Sequence, residues 1–137
     1  MSYSLVTDTT RVPSPDAWLK EAKAAPEAAD CGMFLIHNGV VRQSAKAKVR
    51  AGVADTAPVT GMQFSYDAAK AEAALKAANE LPGIYYVRAW LNEGRLEVGD
   101  DIMLVLIGGD IRPHVVSALE SLVGELKTNC VSETEIY

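Results

Sequence analysis

The sequence predicts a single α+β domain with about three helices. Two short, strongly apolar runs, Met33–Ile36 and Ile102–Ile107, have the continuity of strands buried on both faces. A third stretch, Arg112 to Lys127, repeats Val115, Leu119, Leu122 and Leu126 at spacings of three and four, with Val116 and Val123 beside them. That period marks a helix with one wide apolar face. Strand-like and helix-like stretches are mixed without strict β-α-β alternation, which favours α+β over a doubly wound sheet.

Residues 1–13 are polar and β-tending. Ser14 is a candidate cap, and Pro15 fits the first helical position, where a missing N–H does no harm. A short helix is predicted from Asp16 to about Ala25, ended by Pro26. Gly32 to Asn38 reads as a central strand whose pattern runs on past Gly39 to Arg42. Residues 43–57 carry Lys46, Lys48 and Arg50 among small residues, and read as an exposed arm or a loose hairpin. Val59 to Tyr66 is a further strand. Asp67 to Glu80 is an alanine-rich helix with Asp67 as cap, stopped by Leu81-Pro82-Gly83. Ile84 to Leu91 and Arg95 to Val98 are strand-like, separated by the turn Asn92-Glu93-Gly94. The last helix is expected to end near Lys127, followed by a short extended tail, Thr128–Tyr137.

Length and composition narrow the function. At 137 residues the chain is of common single-domain size, and 49% hydrophobic with 23% charged residues is an ordinary globular balance. A net charge of -5 argues against general nucleic-acid binding, which needs many cations to displace counterions. It leaves room for a local anion site, because a pocket feels its neighbours more than the distant total. The apolar runs are too short to span a bilayer, and residues 1–11 hold no run of signal-peptide length, so a cytoplasmic location is expected. Two cysteines, Cys31 and Cys130, make no disulfide framework and read as packed small hydrophobes.

Several constellations fail as chemistry. Gly108-Gly109 before a helix lacks a dinucleotide or P-loop pattern, and reads as a tight turn with Asp110 as cap. Neither histidine nor cysteine has a partner at zinc-ligand spacing, so no metal site is expected. His37, in an apolar strand, reads as a core or pocket-wall residue. Three basic residues stand out by position: Arg42 at the end of the first core strand, Arg112 in the first turn of the last helix, and Lys127 at its end. Rigid elements present their ends as sites, and guanidinium groups suit phosphate or carboxylate. Taken singly, each is better explained by solvation, or for Lys127 by the helix dipole.

Three motifs in register then resemble a known family. Gly32-Met33-Phe34-Leu35-Ile36-His37-Asn38-Gly39-Val40-Val41-Arg42 is similar to the strand and Gly-x-Val-Arg signature of the large subunit of molybdopterin synthase, the MoaE family. Gly94-Arg95-Leu96-Glu97-Val98-Gly99-Asp100-Asp101 resembles that family's Gly-x-Leu-x-x-Gly-Asp/Glu turn, and the helix ending Leu126-Lys127 resembles its last helix. The resemblance runs from about residue 28 to 137, leaving residues 1–27 as an N-terminal segment with a short helix. It implies a MoaE-like fold, with a mixed or antiparallel sheet packed on the helices. It further implies a homodimer and a small ubiquitin-like sulfur-carrier partner. That partner's C-terminal thiocarboxylate supplies sulfur to cyclic pyranopterin monophosphate, with no resident cofactor. Arg42 and Arg112 then take substrate-binding roles and Lys127 the catalytic one, with His37, Lys46 and Lys48 as possible accessories. The pattern also departs from the family. Ile111 stands where it has the histidine of a His-Arg pair, Leu91-Asn92 where it has an earlier His-Arg, and Thr134 where it has a second lysine. The resemblance is thus open to two roles, a sulfur transferase or a catalytically impaired protein that binds the pterin or the small subunit.

Overall fold

Local chemistry starts the first two helices where the sequence places them. Ser14 Oγ accepts a hydrogen bond from Ala17 N at 3.2 Å, so α1 runs Pro15–Ala24. Asp67 caps α2, Ala68–Asn79, through Lys70 N at 3.0 Å. The computed structural model describes residues 2–45, 52 and 57–137, so Lys46, Lys48 and most of the expected arm lie outside the described residues.

Seven strands form two sheets among the described residues. The larger has the order β1-β4-β6-β2, from β1 (Ser2–Val6), β4 (Ile84–Leu91), β6 (Asp101–Gly109) and β2 (Met33–Val40). β1 pairs parallel to β4, and the other pairs are antiparallel. The smaller, antiparallel sheet has the order β5-β3-β7, from β5 (Gly94–Glu97), β3 (Gly61–Tyr66) and β7 (Val131–Ile136). This is the expected α+β architecture with three α-helices.

The two faces of the larger sheet bury different sets of residues. On one face, α1 turns Trp18 and Ala22, four residues apart, onto Trp90, Leu104 and Leu106. Trp90 Nε1 donates to Asp8 O at 2.9 Å, which satisfies the buried indole. Arg88 lies over the Trp18 ring, 4.5 Å from its centroid, and pairs with Glu21. On the other face lies the main core, shared by α2, the smaller sheet and α3 (Arg112–Glu125). The α3 residues at its centre are Val115, Ala118 and Leu122, followed by Leu126 just beyond the helix. Leu119 and Val123 flank this line, and Val116, expected on the apolar face, is exposed.

Four expectations need correction. β2 is not a central strand: it stands at the edge of the larger sheet, paired only with β6 among the described residues, and its apolar residues are half-buried. Gly108 and Gly109 do not make a tight turn: they finish β6, and a Cβ on Gly109 would lie 2.5 Å from Gly83 O. Asp110 is not the cap of α3. The capping position is Ile111, while Asp110 Oδ1 accepts from Ile111 N at 2.6 Å and contacts His114 Nδ1 at 2.8 Å. The tail expected to be extended is so only from Val131, where it is a paired strand. Leu126–Cys130 form a π-helical turn, and Val131–Ile136 then pair with β3.

Candidate functional site

The C-terminal elements and the end of β2 enclose a cavity of about 350 Å³, within the range of small-molecule sites. Its lining includes Arg42, Lys127, Thr134, Glu133, Glu135 and Tyr137, over an apolar floor of Val40, Met62 and Ile102. A larger hollow of about 600 Å³ lies between α2 and α3; its wall is mainly alanine and leucine, with Lys70, Ser121, Glu125 and Asn129 beside them, and it holds none of the basic residues singled out from the sequence.

Each cavity residue is placed by a local feature. A register shift between Gly39 and Val40 breaks the β2 ladder just before Arg42. Val41 N donates to Asp100 O at 2.9 Å, and Arg42 Nε donates to Ser44 O at 3.0 Å. Among the described residues no partner takes Arg42's terminal guanidinium nitrogens, the pair that suits an oxyanion. Lys127 sits in the π turn, a geometry that recurs at functional sites because it re-aims a side chain within a helix. The turn is fixed at both ends. Leu126 is fully buried, and Asp67 N donates to Cys130 O at 2.8 Å.

β7 brings in the acidic residues. It places Glu133 opposite Phe64 and Glu135 opposite Met62. Directly paired residues share a sheet face, so both glutamates lie on the side of the buried Met62 and Phe64. The wall therefore sets two carboxylates against one guanidinium and one ammonium. Sequence reading missed these glutamates by treating residues 128–137 as a tail. Their spacing of two, in a strand-length segment ending in Ile136, was the available signal.

The remaining candidates fall elsewhere. Arg112 is not among the cavity's lining residues; it begins the helix whose far end carries Lys127, and fourteen residues of α-helix span roughly 20 Å. His37 is not among the cavity's lining residues. Burial, and secondarily the charge of Lys127, push its pKa below 6.5. Cys31 is half-buried and its Sγ donates to Glu27 O at 3.4 Å, while Cys130 is buried. Burial raises both thiols, which keeps them in the unreactive form. Among the described residues no group of three or more His, Cys, Asp or Glu is set to hold a metal, and no helix is long and apolar enough to cross a membrane.

Comparison with known proteins bears out the fold and the family. No curated protein matches the chain. Among solved structures, molybdopterin synthase from Staphylococcus aureus aligns with a TM-score of 0.69 at 17% identity, covering 97% of this chain and 89% of that one. The molybdopterin biosynthesis MoaE protein from Burkholderia ambifaria MC40-6 aligns at 0.66 and 19% identity, covering 98% and 88%. A complex of subunits 1 and 2 of molybdopterin-converting factor from Helicobacter pylori 26695 aligns at 0.62 and 19% identity, covering 89% and 79%. Similarity this low in sequence carries the fold alone, but the profile of the MoaE protein family matches residues 12–129, most of the sequence, and the chain belongs to that family.

Proposed function

We propose that the chain works in molybdenum cofactor biosynthesis as the large subunit of a molybdopterin synthase. It would pass sulfur from the thiocarboxylate of a small carrier subunit to cyclic pyranopterin monophosphate. One observation carries this reading: Arg42, Lys127 and Thr134, which family resemblance aligns with a signature arginine and two active-site lysines, line one cavity. Arg42 binds the anionic phosphate or carboxylate, and Lys127 handles the proton or attacks the carbonyl. Arg112 reaches such a cavity only from a second copy of the chain, so the reading includes a homodimer in which each protomer completes the other's site. The kinship with the two-subunit complex supports a small-subunit partner, and the reading places the work in the cytoplasm.

A second reading is favoured by Thr134 and the two inward glutamates. A cavity with balanced charge and one lysine is suited to holding a ligand without turning it over. The test supplies purified protein with thiocarboxylated small subunit and cyclic pyranopterin monophosphate, and measures dithiolene formation. Turnover that Lys127→Ala abolishes supports the transferase. Binding of either ligand without product supports the second reading and removes the first.

A further inference from the structure

His37 occupies a position where an apolar ring would pack at lower cost. Its neighbours on the same face of β2, Met33 and Leu35, pack into the main core, and across the ladder it faces Val105. Its Nε2 is buried and has no hydrogen-bond partner. A buried unpaired nitrogen opposes folding, so retaining one calls for a reason.

The surroundings supply that reason. Gly39 follows two residues on, on the same face, and leaves a gap where a side chain would stand. A Cβ there would lie 3.6 Å from His37 Nε2, 3.4 Å from Met103 Cγ and 3.9 Å from Ile102 Cβ. Ile102 forms part of the cavity floor, so Nε2 points along β2 toward the cavity and stands one side chain's width behind its wall. From β6 the ring faces only the apolar Met103 and Val105; from the π turn it feels the charge of Lys127. A neutral imidazole carries one N–H and one lone pair. Lysine, on a flexible four-carbon stem, reaches such an acceptor by changing rotamer.

We propose that His37 is a positioning residue for Lys127: across the gap over Gly39, its Nε2 lone pair accepts a hydrogen bond from the Lys127 ammonium and fixes that amine against the inner wall of the cavity. The inference rests on the sulfur-transfer reading for its consequence, but not for its test. No proton need leave Lys127 for the contact to form. The imidazole aims the amine, a task made more valuable by Thr134 in place of a second lysine.

The test uses the whole chain. In nitrogen-15 NMR, the His37 proton is expected on Nδ1, with Nε2 unprotonated and a titration midpoint below 6.5 that rises in Lys127→Met. Gly39→Ala fits at ordinary contact distances yet fills the gap, so it is expected to shift the Nε2 resonance without unfolding the chain. In the dithiolene assay His37→Phe is expected to lower kcat roughly 10-fold with KM little changed, and His37→Gln, which keeps an acceptor, to recover part of it. A proton on Nε2, a midpoint indifferent to Lys127→Met, or full turnover in His37→Phe would overturn the proposal. If the unaltered protein forms no product, the sulfur-transfer reading fails, and the NMR result alone decides whether His37 addresses Lys127.

Discussion

Replacing Leu126 with Ala tests whether the π turn is held by core packing. Leu126 is fully buried in the main core and immediately precedes Lys127. The substitution removes three carbons, worth about 0.8 kcal/mol each in transfer free energy, or about 2.4 kcal/mol. The void adds to this, because neighbours anchored in the larger sheet close only part of it, and the total comes to about 3 kcal/mol. At about 3 °C per kcal/mol for a chain of this length, Tm falls by roughly 10 °C. Urea unfolding followed by circular dichroism gives the number, and an unchanged slope shows that only stability has moved. The turn that aims Lys127 loosens with the anchor, so affinity for a phosphate ligand drops as well. A loss below about 1 kcal/mol would refute the reasoning, since it would mean that Leu126 is not the anchor of the turn.

The glycine at the end of β6 gives an independent check: Gly109→Ala drives a Cβ against Gly83 O and Val115 Cγ2, at 2.5 and 2.7 Å, and should cost about 1–3 kcal/mol in the same assay. Stability should decline as pH falls below 6.5, because the unfolded chain takes up a proton on His37 before the folded one does; His37→Phe should flatten that part of the curve. Asp110 acts in a lower range. Its carboxyl is held below 3.8 chiefly by the hydrogen bond with His114, so its contribution is present above 3.8 and lost as pH falls through the folded value. Asp110→Asn should remove that acid-range dependence in a series of urea melts.

The legible parts of the fold were those written in local chemistry. Ser14 and Asp67 name their helix starts because a side-chain oxygen next to the first turn satisfies an orphan N–H. Ile102–Ile107 names a central strand because both its faces are buried, whereas Met33–Ile36, equally apolar, forms the half-buried edge of the larger sheet. What stayed hidden depended on partners far along the chain. Nothing near Val131–Ile136 says that it will pair with Gly61–Tyr66, and that pairing alone turns Glu133 and Glu135 inward. Cavity residues Arg42 and Lys127 were found through family resemblance, since each alone is also explained as solvated charge. The same resemblance did not bring Arg112 to them, because one helix separates its two ends by its own length.

The pairing of β7 with β3 also fixes when the cavity can exist. The strands of the larger sheet are all present once residue 109 has been made, and α3 can cover them soon after. Arg42 and Lys127 acquire a common wall only when residues 131–136 dock on a strand made some seventy residues earlier. Pairings so distant in sequence close late and slowly. During synthesis, then, the scaffold precedes the site, and one edge of β3 waits unpaired until the seventh strand arrives. The interval is the chain's most aggregation-prone moment, and the charges along β7 are what the sequence puts beside it.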